Sequence, residues 1–311
     1  MPTTERILVI KHGALGDIIQ GLDSFCSLRR GHPDAHIALL TGPAFAGLAR
    51  LMPWFDEVII DPRASFAKLT ATLRIRSVLR NSWDMIIDQQ CSRRTAHYHR
   101  WFTPSTTRWF GIATGASDPY RDFTGVNNHQ RMLIAAKQAG GIDVTLADNP
   151  MSWLDGTAQL DALGVPVNPV ILVPGCSPAK PAKRWSVDQF AALAQMAHDA
   201  GNDVVVVGTA AEQDTVDALM RQVPFCLNLL GKTKLPDLAA LFRQAHLVVG
   251  NDTGPIFLAA RAGAPTVMVM GPETNPDMSA PTGTACGYVR ATPIDAVTPQ
   301  QVMDKAATLI G

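Results

Sequence analysis

Short apolar runs and longer amphipathic stretches alternate along the chain. Aliphatic, largely β-branched runs fall at 7–10, 37–40, 57–60 and 85–88, and again, after a break, at 170–173, 204–207, 247–249 and 266–270. Runs of this kind suit strands buried on both faces of a parallel sheet. Between them, 46–51, 66–80, 187–200, 212–222 and 235–244 have helical spacing. Behind the first run, Ile18, Ile19, Leu22, Phe25 and Leu28 supply the apolar stripe of a helix. Strand and helix in alternation imply parallel sheets with right-handed crossovers. The stretch 148–153, a short helix-like segment to Leu163 and the turn-rich 164–169 mark a passage from one sheet to the next. The pattern therefore predicts an α/β fold of two doubly wound domains, 1–150 and 151–311, with a cleft between them. It contains no fixed-period repeat and no low-complexity segment.

Composition narrows the class. With 311 residues, 47% of them apolar and 17% charged, each half can build its own core. No apolar run approaches the ~18–20 residues of a membrane span. Met1 to Arg6 lacks the charged-then-apolar layout of a signal peptide, so the expected compartment is the cytoplasm. Five scattered cysteines without CxxC spacing (Cys26, Cys91, Cys176, Cys226 and Cys286) read as reduced thiols, neither a disulfide framework nor a zinc site. The net charge is zero, but residues 1–150 hold 17 Lys/Arg against 13 Asp/Glu and the remainder 10 against 14. A basic first half suits an anionic substrate or membrane surface, and ordinary solvated helices would give the same count. No nucleic-acid partner is expected.

Candidate chemistry gathers at the ends of strands, where open α/β sheets bind their ligands. Gly13-Ala14-Leu15-Gly16-Asp17 follows the first strand and puts a carboxylate where the first helix begins. Pro174-Gly175-Cys176-Ser177 ends another, followed by Lys180 and by Lys183-Arg184-Trp185, cations suited to phosphate oxygens. Glu212 lies one turn beyond the strand at 204–207, placed to accept from ribose hydroxyls. Asn251-Asp252-Thr253-Gly254-Pro255 precedes a helical run, with proline at its opening and Thr253 or Asp252 available as a cap. A helix N-terminus of this kind suits a phosphate or diphosphate, although an ordinary capped helix has the same sequence. Cation, carboxylate and helix N-terminus together are the parts a nucleotide diphosphate needs.

In this order and over nearly the whole chain, these segments resemble glycosyltransferase family 9, the heptosyltransferases of lipopolysaccharide core assembly. The resemblance also rests on Met85-Ile86-Ile87-Asp88-Gln89-Gln90 and Gly231-Lys232-Thr233-Lys234-Leu235. It implies the GT-B architecture of two facing Rossmann-like domains, with an acceptor-binding first half and a donor-binding second half. It also implies metal-independent, inverting transfer of a sugar, heptose from ADP-heptose, to a lipopolysaccharide core or related glycan. No cofactor is implied. The partners are a nucleotide-sugar donor and a lipid-linked glycan acceptor, with peripheral contact at the inner face of the inner membrane. By the same resemblance Asp17 is the base that deprotonates the acceptor hydroxyl. Lys183 contacts the diphosphate, Glu212 the ribose, and Asp252, Thr253 and Gly254 the phosphates or donor sugar, with Ser177 and Thr233 on the same side. Gly16, Gln89, Gln90, Arg93 and Arg94 fall to the acceptor.

Three positions depart from the family pattern. Ile256-Phe257 stands where Met-His usually follows Asp-Thr/Ser-Gly-Pro, so that Phe257 removes a polar group from the donor side and leaves a degenerate binding protein as an alternative. Asp23 and Ser186 replace customary prolines and concern local geometry. His32 with His36, and His97 with His99, are expected as loop or solvated histidines, not metal ligands. A dinucleotide-dependent oxidoreductase fits less well, since the opening turn is Gly-x-x-Gly-Asp, not Gly-x-Gly-x-x-Gly. A nucleotide-sugar epimerase would need further clustered carboxylates and histidines.

Overall fold

The computed structural model describes residues 4–176 and 180–310. The chain divides into two units, Met1–Asn149 and Pro150–Gly311.

The first unit holds β1 (Arg6–Ile10), β2 (His36–Thr41), β3 (Glu57–Ile60), β4 (Met85–Asp88), β5 (Arg108–Gly111) and β6 (Asp118–Pro119). They form one parallel sheet in the order β3-β2-β1-β4-β5-β6. Its helices are α1 (Leu15–Gln20), α2 (Leu22–Gly31), α3 (Ala46–Ala49), α4 (Leu69–Leu79), α5 (Arg93–Phe102) and α6 (Asn128–Gln138). β1 is central, flanked by β2 and β4 in register, with Ile7 opposite both Ile37 and Met85. Ile7 to Ile10 are fully buried, as a strand covered on both faces requires.

The second unit holds β7 (Val170–Val173), β8 (Val204–Val206), β9 (Leu227–Asn228), β10 (Leu247–Asn251), β11 (Thr266–Met270) and β12 (Cys286–Arg290). These form a second parallel sheet, ordered β12-β11-β10-β7-β8-β9. Around it lie α7 (Thr157–Leu160), α8 (Val187–Asp199), α9 (Gln213–Gln222), α10 (Leu235–Arg243), α11 (Gly254–Arg261), α12 (Pro276–Ser279) and α13 (Pro299–Ile310). Trp185 and Phe190, edge to face at 5.0 Å, join the strand valines in its core.

Counted within each unit, the two sheets share one strand order, with the chain reversing direction across the sheet between β1 and β4 and between β7 and β10. Those reversals are where doubly wound sheets open a binding crevice at the carboxyl ends of their strands. The expected fold class, α/β with two Rossmann-like units, is the observed one.

Several expectations are corrected. The stripe Ile18, Ile19, Leu22, Phe25 and Leu28 is buried throughout, but it spans two helices because the chain turns at Gly21. β5, β6, β9 and β12 were not anticipated: β6 and β9 have two residues each, and β12 is a half-exposed edge strand without a continuous apolar run. Of the four histidines, His32 lies in a loop just after α2, as expected, while the other three lie on β2 and α5. His97 and His99 lie on α5, where His97 stacks on Trp101 at 4.3 Å and His99 packs 5.0 Å from Trp109. His32 bridges Glu5 and the Ala139 carbonyl, both at 2.8 Å, and His36 lies 3.3 Å from Glu57.

Candidate active site residues

In the first unit the site is built on the turns after β1 and β4. Gly13 has φ of +124°, and a Cβ there would meet the Phe45 ring at 2.2 Å, so only glycine fits this opening turn. Asp17 occupies the first turn of α1, half-buried. The helix starts at Ala14 with no side-chain cap, so the Asp17 carboxylate is not consumed in capping. Its Oδ1 accepts a hydrogen bond of 3.3 Å from Nδ2 of Asn128, the first residue of α6. Gly16 is buried in the same turn, its carbonyl accepting from Gln20 Nε2 at 3.2 Å.

The turn after β4 braces this loop. Gln90 Oε1 accepts from the His12 backbone N–H at 2.9 Å, and the Gln89 carbonyl accepts from Lys11 Nζ at 3.2 Å. Gln89 is buried, its Oε1 taken by Ser24 Oγ at 2.8 Å and its amide donating to the Met132 carbonyl at 3.5 Å. Gln89 therefore acts from within, on the shape of the turn. Asp88 is also buried, and burial pushes its carboxyl up against the opposing hydrogen bonds from Thr95 and the Cys91 and Gln90 N–H groups. Lys11 is buried beside them, its ammonium pushed down by burial, with Asp17 the largest influence in the other direction.

A second polar knot stands behind His12. Its Nε2 lies 2.9 Å from Oδ2 of the buried Asp61, which also accepts from Tyr98 O–H at 2.5 Å and, at Oδ1, from the Arg63 N–H at 2.7 Å. Burial raises the Asp61 carboxyl, but hydrogen bonds from His12, Tyr98 and Arg63 outweigh it and hold it at about 2. Arg94 completes the knot: it lies 3.6 Å from Asp61, donates to Tyr98 O–H and the Ala64 carbonyl, and covers the Phe66 ring. Arg93 is exposed at the start of α5.

In the second unit the turns after β7, β8 and β10 converge. The buried Asn251 donates from Nδ2 to the Pro174 carbonyl at 2.8 Å and accepts at Oδ1 from the Trp185 N–H at 2.9 Å, tying β10 to the segment after β7. Lys183, in a short 3-10 turn, pairs with Asp252 Oδ2, which also accepts from Thr274 Oγ1 at 2.8 Å. Thr253 is the N-cap residue of α11, but neither it nor Asp252 caps through a side chain, contrary to the expectation. Among the described residues no side-chain cap closes the Gly254 end of that helix, as anion binding needs. Glu212 caps its own turn, Oε2 accepting from Thr209 N–H at 2.7 Å and Oγ1 at 2.6 Å. It also lies across Gly175, where a Cβ would meet its Cγ at 2.6 Å. Thr233 is half-buried in the turn before α10. Ser177 lies outside the described residues.

The departures from family pattern have local accounts. Asp23 is buried and bridges His129 Nε2 at 2.8 Å and Asn149 Nδ2 at 2.7 Å, anchoring α6 and the end of the unit on α2. Ser186 caps α8, accepting from the Gln189 N–H at 3.4 Å. Phe257 is buried in α11. Lys11, Asp61, Asn128 and Thr274 escaped sequence reasoning. Asn128 reaches Asp17 across 111 positions, a pairing no local pattern announces. Lys11 alone carried a signal, a cation directly after an all-aliphatic strand. Among the described residues no three His, Cys, Asp or Glu side chains converge as a metal-ligand set, and no helix is long and apolar enough to cross a membrane.

Known proteins share this layout. Lipopolysaccharide heptosyltransferase 3 of Escherichia coli is 30% identical over 284 residues, 82% of this chain and 80% of its own length. The match to lipooligosaccharide heptosyltransferase 2 of Haemophilus influenzae is local, 32% identical over 115 residues, so that it spans 35% of this chain and only a third (33%) of that relative. The structure of E. coli ADP-heptose lps heptosyltransferase II superposes with a TM-score of 0.77 at 22% identity, covering 98% of both chains, which shows a common fold. Residues 117–306 match the profile of Glycosyltransferase family 9 (heptosyltransferase). With a relative at 30% identity matched over four-fifths of its length and the family profile over residues 117–306, the protein belongs to glycosyltransferase family 9.

Proposed function

We propose that the protein is an inverting, metal-independent glycosyltransferase that moves heptose from ADP-heptose onto a lipopolysaccharide core or related surface glycan. The observation that carries this reading is Asp17: a half-buried carboxylate at the strand-order reversal between β1 and β4, steadied by Asn128 and unused as a cap. Family membership supports the reaction class, and the names of the relatives support the sugar and the acceptor.

Asp17 takes the proton of the acceptor hydroxyl as that oxygen attacks the anomeric carbon and the bond to the diphosphate breaks. A positioned carboxylate base contributes roughly 10²–10⁴-fold. One carboxylate and one displacement invert the anomeric centre. Charge on the departing diphosphate is borne by Lys183 and the Gly254 end of α11, so no general acid is required. Thr253 and Ser177 serve the phosphates and Glu212 the ribose, through the carboxylate oxygen not used in capping. Asp252, an anion already paired with Lys183, serves the donor sugar hydroxyls, and Thr233 flanks the donor. On the acceptor side Gly16 and Arg93 face the substrate, while Gln89, Gln90 and Arg94 hold the turns that present it. The acceptor is lipid-linked, which places the work at the cytoplasmic face of the inner membrane.

The test is calorimetric titration with ADP-heptose, with UDP- and GDP-sugars as comparators, alongside a transfer assay. Wild-type protein should bind ADP-heptose, and Asp17→Asn should bind equally while losing transfer by roughly 10²–10⁴-fold. Binding of no nucleotide sugar would refute the reading and favour a degenerate relative, for which the buried Phe257 is the specific indication.

A further inference from the structure

Helix α4 buries Ile75 and Leu79 yet leaves Leu69 and Leu73 exposed, at 68% and 48%. On a 3.6-residue repeat Leu69, Leu73, Arg76 and Arg80 share one outward stripe, with Arg74 beside it. From 62 to 83 the chain carries Arg63, Lys68, Arg74, Arg76 and Arg80, all exposed, and no Asp or Glu. The segment 89–117 likewise has no acidic residue. There α5 presents exposed Arg93, Arg100 and Trp101, the indole 50% exposed. The two helices meet through Phe66, whose ring stands edge-on to Trp101 at 5.4 Å, three residues before Leu69. Trp101 is further fixed by stacking on His97 at 4.3 Å. The carboxylate bordering this surface, Glu57 of β3, is engaged by His36 at 3.3 Å.

Exposed leucines flanked by arginines, with a rigid indole at the margin, form an interfacial surface. Aliphatic groups enter the acyl boundary, arginines remain among phosphates, and the indole sits between. A second copy of the same face would bring like charges together, which disfavours self-association. We propose that α4 and the Trp101 corner of α5 dock the protein on an anionic phospholipid bilayer. The purpose of such docking rests on the lipid-linked acceptor proposed above; the docking itself is measured without acceptor or donor.

The experiment is co-sedimentation of the full chain with extruded vesicles of phosphatidylcholine, with or without phosphatidylglycerol. Binding is expected only with phosphatidylglycerol, weakening as salt rises. Leu69→Glu/Leu73→Glu and Arg74→Glu/Arg76→Glu should each lower partitioning at least about tenfold, since each surface cation contributes roughly fivefold. Val167→Glu, at a 90% exposed site on the second unit, should leave it unchanged. All five residues substituted are exposed, and the melting temperature should hold. Binding of ADP-heptose by calorimetry should survive both double variants, so failure of the vesicle result and failure of the donor reading are separable. Equal binding to neutral vesicles, no binding to anionic ones, or equal loss with Val167→Glu would overturn the proposal. So would a concentration-dependent dimer abolished by Leu69→Glu/Leu73→Glu, which would make the face a self-interface.

Discussion

Lys183→Ala is expected to damage donor binding by more than the loss of one contact, because of what it leaves behind. The Lys183 ammonium pairs with Asp252 Oδ2, the two side chains 13% and 9% exposed, and Thr274 Oγ1 donates to the same oxygen at 2.8 Å. A diphosphate at the Gly254 end of α11 would share that ammonium with Asp252. Removing Lys183 deletes one charge-assisted hydrogen bond, about 1.5–3 kcal/mol. It also leaves the Asp252 carboxylate facing a phosphate charge without an intervening cation. At a separation of about 6 Å and an effective dielectric near 20 that repulsion adds about 2–3 kcal/mol. The sum predicts that ADP binds Lys183→Ala about 10²–10⁴-fold more weakly. The double variant Lys183→Ala/Asp252→Asn, relieved of the orphaned anion, should recover about 10–10² of that loss, a coupling measurable as a double-mutant cycle. The assay is calorimetric titration with ADP at fixed ionic strength, with circular dichroism to confirm folding. If the double variant binds no better than Lys183→Ala, Asp252 does not feel the phosphate. If Lys183→Ala binds like the wild type, Lys183 is not at the diphosphate, and the donor assignment fails.

Other outcomes follow from the same geometry. Glu212→Ala and Thr209→Ala should each lose the capping contacts, about 1 kcal/mol in urea unfolding, but only Glu212→Ala should raise the donor KM; equal effects on KM would leave Glu212 a cap and nothing more. The Asp61 carboxyl, at about 2 in the folded chain against an ordinary 3.8, contributes stability that is present above about pH 4 and lost as pH falls through about 2. After solvent screening the contribution is about 1–2 kcal/mol, and Asp61→Asn should flatten that acid limb in denaturant titrations; an unchanged slope would count against the assignment. Gly13→Ala meets both a positive φ and the Phe45 ring, and should cost about 2–5 kcal/mol. Adding Phe45→Ala should return the packing part and not the backbone part, a split read from paired urea midpoints.

The central strands were legible because burial on both faces forces continuous aliphatic runs: β4, β7 and β11 have the boundaries their sequences predict. Among the edge strands β3, with Val58, Ile59 and Ile60, was as legible; the others were not, because β12 alternates exposure and includes Gly287 and Arg290, while β6 and β9 are too short for any period. α5 hid for another reason: its apolar contacts come from His97, Tyr98, Trp101 and Phe102, two pairs of rings interrupted by His99 and Arg100 and not an aliphatic stripe. At the candidate site, residues next to glycine turns declared themselves through the turn. Those that steady them from elsewhere, Asn128 on α6 and Thr274 before α12, depend on contacts across 111 and 22 positions and left no local trace. The pairing of Lys183 with Asp252 was equally hidden, although both residues were named, because distance along the chain carries no sign of which charges meet.

The repeated strand order has a consequence for how such a protein can change. In the first unit the candidate chemistry hangs from the two strands flanking the reversal, β1 with β4, and in the second from β7 and β10 with Glu212 added after β8, while the remaining strands serve mainly to keep these in place. Divergence at those remaining strands then alters robustness and leaves reactivity alone. A handful of exchanges in the turn after β10 would retune the choice of donor without disturbing the turn after β1, so new substrate pairings can be reached by editing one loop at a time on scaffolds that stay the same.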